Sequence, residues 1–582
     1  MSTRRPASPE NNPSPSGTTA QWSSLTLRSW TVGALPIINH LFERMQLEAI
    51  LEDHLPTPKG RSKLCVARGL MVLVQNILLA REPLYGLREW AARHDPQWLG
   101  MTAEQIGTLN DDRIGRCLMA LFQARRPALL LALVRHVVHE FNVGLTELHN
   151  DSTSISVYGA YPEAATENTY RGQTAPAITW GHSKAHRPDL KQLLYILTVS
   201  SDGGVPLHCR VASGNVADDT THCANWDLLC TIVGSSDFLY VADCKLVTRA
   251  NLKHIASHGG RFVSVLPRSR REDTVFRERL QRGTVAWQPL WDKHDDEGKV
   301  IDHFAVATDH EVLPEGYHLW WYHSTRKADI DLASRGNRLE RATRHLRQLQ
   351  AQLRAPRSRQ RDPAKVQQHV DQLLRHYELT GLLRVAVVER PQETYHQRRP
   401  GRPGKNTEYV KRVRHRLDLD YAIDAAAVVT IQKTDGVFPL VTNDASLSAL
   451  DTLLAYKRQP TIEKRFEQLK TDFAVAPVWL KDVGRIEALL HVYFIVLLVE
   501  ALLERELRQG MERAGLESLP LYPEGRPCRC PTARRVIDLF EPIQRHTLET
   551  TVGPTPGVVT ERTAVQNQVL RLLGLPANTY GS

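Results

Sequence analysis

The chain has 582 residues, with 74 Lys and Arg against 64 Asp and Glu, giving a formal net charge of +10. Hydrophobic residues make up 42% and charged residues 24%, which excludes a fibrous or mostly disordered chain. At about 150 residues per domain the length corresponds to three or four domains, and a core of that size needs no disulfide staples.

The first 22 residues are rich in Ser, Pro and Asn and contain no apolar stretch. They predict a disordered leader rather than a secretory signal or a membrane anchor. Apolar positions then recur at helical spacing in Ile37–Leu55, Leu64–Leu79 and Arg113–Phe141, with Asn110 placed to cap the last helix. Residues 23–142 therefore predict a helical N-terminal domain, serving either DNA binding or dimerisation.

The pattern changes near Val143. Leu145–His149 reads as a strand, and Leu193–Ser200 and Val205–Val211 read as a hairpin around Asp202-Gly203-Gly204. Thr221–Val233 and Val247–His258 read as helices, each followed by a short strand, Phe238–Ala242 and Arg261–Leu266. Three early strands followed by helix crossovers predict a mixed α/β sheet.

Residues 267–425 interrupt that order. Trp287, Trp291, Trp320 and Trp321 lie among strand-like runs, suited either to core packing or to stacking on an unpaired base. Leu332–Leu353 and Ala364–Leu379 predict a helical hairpin. The nine arginines from Arg335 to Arg361 form either its solvated face or a phosphate-tracking surface. Arg398–Lys405 carries a Gly-Arg-Pro core centred on Arg402, read as a minor-groove arm or as a basic linker. Val428–Ile431 and Val437–Thr442 predict a hairpin. A long helix follows from Ser446, with an interruption near Pro460, and Arg485–Met511 predicts a strongly apolar helix. A Pro-rich tail after 515 holds a helix near Ala533–Phe540.

The apolar run Ala488–Val499 contains His491 and is bounded by Glu487 and Glu500. It falls short of the roughly 20 apolar residues of a spanning helix and predicts a buried core helix, with no membrane contact. The eight cysteines are scattered, which fits a reducing cytoplasm. Cys528 and Cys530 alone are too few for a zinc site. His182 and His186 have zinc-helix spacing, but Gly181 and Pro188 argue against a helix there.

Asp151 follows the first strand and Asp243 ends another. Carboxylates so placed project into the crevice beyond a sheet, although each also reads as a turn or cap aspartate. Tyr456, Glu463 and Lys470 stand at seven-residue intervals, which places them on one helical face. A carboxylate flanked by Tyr and Lys suits a phosphodiester site, and a solvated charged face is the plain alternative.

Taken together, these segments resemble the DDE transposases of bacterial insertion sequences, in the group named for a Tyr-x2-Arg-x3-Glu-x6-Lys motif. The resemblance extends over Asp151-Ser-Thr-Ser, Gly181-His-Ser-Lys-Ala-His-Arg-Pro-Asp-Leu-Lys-Gln, Gly203-Gly-Val-Pro-Leu, Gly214-Asn-Val-Ala-Asp-Asp-Thr-Thr, Val241-Ala-Asp-Cys and the Tyr456–Lys470 stretch. It implies an RNase H-like mixed-sheet core split by a large insertion, with Asp151, Asp243 and Glu463 as catalytic carboxylates. These would hold two magnesium ions, with manganese able to substitute. Tyr456 and Lys470 would contact DNA. Apart from the resemblance, Lys184, His186 and Arg187 read as a basic loop facing phosphate near the site, and Arg402 reads as the DNA contact of the Gly-Arg-Pro stretch. The motif's Arg position falls on Gln459, so that role passes to Arg458 or is absent. Glu467, one turn on, is the rival for Glu463.

The implied organisation is a leader (1–22), a helical domain (23–142), a core in two parts (143–266 and 426–515) around the insertion (267–425), and a tail (516–582). The implied function is metal-dependent cleavage at the ends of an insertion sequence followed by strand transfer, in the cytoplasm. The partners would be the element's terminal inverted repeats, target DNA and a second copy of the chain in the synaptic complex. The alternatives are a nuclease of the same fold without strand transfer and a non-catalytic DNA-binding protein.

Overall fold

A computed structural model of the chain describes residues 26–56, 64–184, 186–295, 298–355, 358, 360–475, 478, 480–550, 553–554 and 557–581. The leader expected over 1–22 lies outside the described residues. The chain divides into two compact units, one of residues 1–142, 159–176 and 469–582 and the other of residues 143–158 and 177–468.

The first unit is largely helical. Its central helix, Val483–Arg513, packs against Leu35–Arg44, Val66–Leu79 and Asp111–Gln123. The helix is long and apolar enough to cross a membrane, and it is buried within its unit. Leu490, Phe494, Leu497 and Leu498 have no exposed surface, as expected of a helix that is apolar on every side. The single helix expected over Arg113–Phe141 is instead two, Asp111–Gln123 and Arg126–Glu140, bent by 90°. Pro127 gives the reason. It lacks an N–H and is tolerated only in a helix's first turn, so a new helix starts there. Asn110 caps the first of the two, accepting from the Arg113 N–H at 2.8 Å.

The second unit is mixed α/β and is built on one ten-stranded sheet. Its elements are β1 (Glu147–Val157), β2 (Lys191–Ser200), β3 (Pro206–Ser213), α1 (His222–Val233), β4 (Leu239–Ala242), α2 (Arg249–Ser257) and β5 (Arg261–Val265). Next come α3 (Arg271–Arg282), β6 (Trp287–His294), β7 (Val300–Ala307), β8 (His318–Ser324), α4 (Thr325–Arg354) and α5 (Pro363–His376). The unit closes with β9 (Leu383–Gln397), β10 (Tyr409–Ile423), α6 (Ala425–Gln432), β11 (Val437–Thr442), α7 (Ala449–Lys457) and α8 (Pro460–Glu467).

The sheet runs β3-β2-β1-β4-β5-β11-β8-β7-β6, with Glu311–Val312 beside β8. β3, β2 and β1 pair antiparallel, and β1, β4 and β5 pair parallel through the crossover helices α1 and α2. The interrupting segment is therefore continuous with the core, because β8, β7 and β6 extend the same sheet beyond β11. Three of its tryptophans are packing residues. Trp321 stacks on Phe276 at 3.9 Å and donates its indole N–H to Glu311, Trp291 stacks on Phe304, and Trp287 lies edge-on to Phe276.

Two local expectations are corrected. Val428–Ile431 is part of helix α6, not a strand. The Asp424 carboxylate caps that helix from the Ala427 N–H, and the alanines after it favour the helix. The first strand does not end at His149. It continues to Val157 because β2 pairs with it throughout. The helical hairpin α4–α5 forms where expected, and Arg335, Arg338, Arg344 and Arg354 are held there in ion pairs with Asp435, Glu378, Glu340 and Asp418.

Candidate active site

Asp151 lies within β1 rather than after a strand, yet it stands where the parallel pairing stops. The last parallel pair between β1 and β4 is Asn150↔Ala242, so Asp151 and Asp243 each follow it directly. Neighbouring strands lie about 4.8 Å apart, so the two aspartates stand side by side at this level of the sheet. A buried network fixes the strand just before this point. Asn150 accepts from Thr198 and Asn225, both at 2.9 Å, and Asn225 also donates to the Tyr240 hydroxyl.

Asp151 is half-buried. Burial lifts its pKa to about 6 against the opposing charge of Lys184, and the neighbouring Asp243 and Asp218 add to the rise. The Lys184 ammonium lies 3.5 Å from Asp151 Oδ1 and 3.0 Å from Asp218 Oδ2, and donates at 2.8 Å to both the carbonyl and the hydroxyl of Ser152. Burial works against that ammonium, but Asp151 and Asp218 outweigh it and raise its pKa. Lys184 thus faces carboxylates rather than open solvent, because they are its nearest countercharges.

The loop carrying Lys184 is held by close backbone approach. A Cβ on Gly181 would come within 1.8 Å of the Gly214 carbonyl oxygen, and Gln192 donates to both that carbonyl and the His182 carbonyl. These contacts account for the glycines at 181 and 214. Arg187, on the same loop, is exposed and paired in two parallel hydrogen bonds with Asp189.

The helical segment behaves partly as expected. Pro460 ends α7 and opens α8, and i→i+3 bonds bridge the break, from Gln459 N–H to Tyr456 and from Ile462 N–H to Gln459. Tyr456 is half-buried. Burial pushes its phenol up to about 12, and the charges of Asp243, Glu463 and Asp151 add to this. Tyr456 is thus a neutral hydroxyl near all three expected carboxylates, with Glu463 exposed in the first turn of α8. Lys470 lies in a π turn, Gln468–Asp472, beyond the second unit's boundary.

Arg458 is taken up differently from the role expected of it. It grips Glu147 at the start of β1 with two guanidinium nitrogens. Burial works to raise the Glu147 pKa, but the hydrogen bonds from Arg458 and His149 hold it below the usual value. Arg458 therefore ties the helix to the sheet. Arg402 sits in the loop between β9 and β10 and is exposed.

Three neighbours were not legible as site residues in the sequence. Asp218 accepts from Lys184 and from the Ser152 hydroxyl. Ser152 completes that triangle. His222 is buried with Nδ1 3.1 Å from the Tyr240 hydroxyl, and burial lowers its pKa despite Asp243, Asp218 and Asp219. Only spatial adjacency reveals these three, because their spacing in the chain carries no signal.

A hard divalent cation suits this donor set. Two adjacent carboxylates, one with a raised pKa, carry more negative charge than Lys184 offsets, and oxygen donors are what magnesium takes. Among the described residues, no three His, Cys, Asp or Glu side chains converge closely enough to hold an ion as they stand.

Comparison with known proteins adds one local match. Residues 27–135 match a domain of unknown function, DUF4277. The match covers most of the helices that open the first unit. No curated protein matches the sequence. Among solved structures, a piggyBac transposase synaptic complex with hairpin DNA aligns at a TM-score of 0.34 and 7% identity, over 87% of this chain and 78% of that chain. A likeness at that level does not establish a common fold.

Proposed function

We propose that the chain is a DDE-type DNA transposase with an RNase H-like catalytic core. One observation carries the reading: Asp151 and Asp243 stand at the same level of adjacent parallel strands, each directly after their last parallel pair, with Tyr456 within reach of the charges of both and of Glu463. The order of the first five strands, three antiparallel and then two parallel through helices, supports the same core.

Asp151, Asp243 and Glu463 would hold two magnesium ions, which supply Lewis-acid stabilisation and an activated water when bound. The rest falls to the chain's own groups. Lys184 orients Asp151 and Asp218, and Tyr456, neutral at physiological pH, offers a hydroxyl to a phosphate oxygen. Hydrolysis at the element end would leave a 3′-hydroxyl, and that hydroxyl would then attack target DNA. Pairing two ends calls for two copies of the chain.

The test is cleavage and joining of a duplex carrying the gene's own flanking repeats, with magnesium. Wild type is expected to cleave and join. Glu463→Gln should lose at least about 10³-fold in rate, equivalent to roughly 4 kcal/mol, with end binding retained. Glu467→Gln should stay within about 3-fold. Equal loss in Glu467→Gln, or none in Glu463→Gln, would move the third carboxylate. Cleavage without joining would leave a nuclease.

A further inference from the structure

The segment read as a basic linker is the tip of a long β-ribbon. β9 and β10 pair over fifteen registers, from Leu383↔Ile423 to Gln397↔Tyr409, and residues 398–408 form the loop between them. The base is seated. Leu383, Leu417 and Leu419 are buried in a cluster with Leu346 of α4 and Val370 of α5. Beyond that base both faces are open, and residues 389–393 and 409–415 are all exposed. An isolated two-stranded hairpin is marginal in water, so a stretch this long with both faces open suits a surface that a partner covers.

The ribbon's charge identifies the partner. Residues 389–416 carry nine Lys and Arg against three Glu. Arg412, Arg414 and Arg416 alternate along β10 and so share one face, about 6.8 Å apart at two residues each. Arg416 is held by the Arg354 and Ala355 carbonyls, which braces the ribbon's root. Among the described residues, Arg399, Arg402, Lys405, Arg412 and Arg414 form no ion pair. Opposite Arg414 and Arg412 lie Gln392 and Thr394, polar and uncharged, and opposite Arg416 lies Arg390, which is paired with Asp418 and Asp420. A two-stranded ribbon fits the B-form major groove, and the exposed Arg412 and Arg414 with the basic tip match the phosphates along it.

We infer that residues 389–416 are a DNA-binding arm that engages duplex DNA through the arginine face of β10 and the basic tip. The choice of DNA as the nucleic acid rests on the transposase reading. The arm is a binding surface separate in the fold from the carboxylates.

The test uses the full chain and a mixed-sequence 30-base-pair DNA duplex, followed by fluorescence anisotropy across a salt series. Arg412→Ala with Arg414→Ala, and Arg399→Ala with Arg402→Ala and Lys405→Ala, should each weaken binding about 10-fold or more at moderate salt. The log–log salt slope should fall by about 2 and about 3 respectively, near 0.9 for each phosphate no longer neutralised. Arg341→Ala with Arg347→Ala, on the exposed side of α4, removes the same charge as the first pair and should leave the slope unchanged. Unchanged slopes in the arm variants, or an equal fall in the α4 control, would overturn the arm. Displacement of the DNA by an equal amount of duplex RNA would overturn DNA as its partner. If wild type never cleaves but the arm variants lose slope, the arm stands and the transposase reading falls. If wild type cleaves and the arm variants bind like wild type, the reverse holds.

Discussion

Asp151→Asn is expected to abolish magnesium-dependent strand cleavage, by at least about 10³-fold, while making the protein more stable at pH 8. Both effects come from the same burial. A carboxylate that helps hold the catalytic cations would contribute several kcal/mol to the transition state, and the amide has no charge with which to replace it. In the folded chain the Asp151 pKa is about 6, above the 3.8 of an unperturbed aspartate. Between those two values the unfolded chain loses this proton while the folded chain keeps it, so stability falls as pH rises through the window. The cost is complete above pH 6 and amounts to about 3 kcal/mol at most. Asparagine never incurs it, and the value of about 6 already includes the attraction of Lys184; with solvent screening at this half-buried site a net gain of about 1–2 kcal/mol is expected. Denaturant titrations at pH 4 and pH 8 check this, since the gain should appear only at the higher pH. Magnesium should raise the melting temperature of wild type at pH 8 and leave that of Asp151→Asn unchanged. A variant less stable than wild type at both pH values, or one that still cleaves, would refute the assignment.

The strand–helix order through residue 266 was legible because each element there has a clear period and clear turn residues. Asp243 was legible for the same reason, as the residue that ends a short buried strand. Asp151 was harder to place. The polar run Asn150–Ser154 looks like a strand's end, but that run is paired with β2 and buried on both faces. Pairing, not propensity, decides such a strand. The same limit applies to α6, where Val428, Val429 and Ile431 suggest a strand and the Asp424 cap makes a helix. Lys184 was legible as part of a basic loop but not in its direction, since nothing in the chain's spacing brings Asp218 beside it. The β9–β10 ribbon was not legible because its strands are polar on both faces, and alternation is visible in a sequence only when one face is buried.

Arg126→Met in the first unit is expected to cost about 3 kcal/mol at pH 8 and about 1.4 kcal/mol less at pH 5, since pH 8 lies about one pH unit past the Glu487 pKa of about 7. Arg126 and Glu487 form a buried ion pair at 3.0 Å, with side-chain exposures of 10% and 7%. Arg126 also caps the preceding helix at the Phe122 carbonyl and lies 4.6 Å over the Phe122 ring. Burial lifts the Glu487 pKa to about 7 even with Arg126 opposing it, and Oε2 has no hydrogen-bond partner among the described residues. His491, one turn further on, cannot replace the arginine as a cation, since burial drops its pKa to about 4. At pH 5 Glu487 already holds its proton in the folded state, so little attraction is lost with the arginine. As pH rises, wild type can ionise Glu487 beside Arg126, whereas the variant must keep it protonated or bury a lone charge. The unfolded chain ionises freely throughout, so the difference between the two proteins grows through pH 7. Arg126→Met with Glu487→Leu should recover most of the loss, because an apolar pair of similar volume carries no desolvation cost. A cost that does not vary between pH 5 and pH 8 would show that Arg126 acts through packing on Phe122 alone.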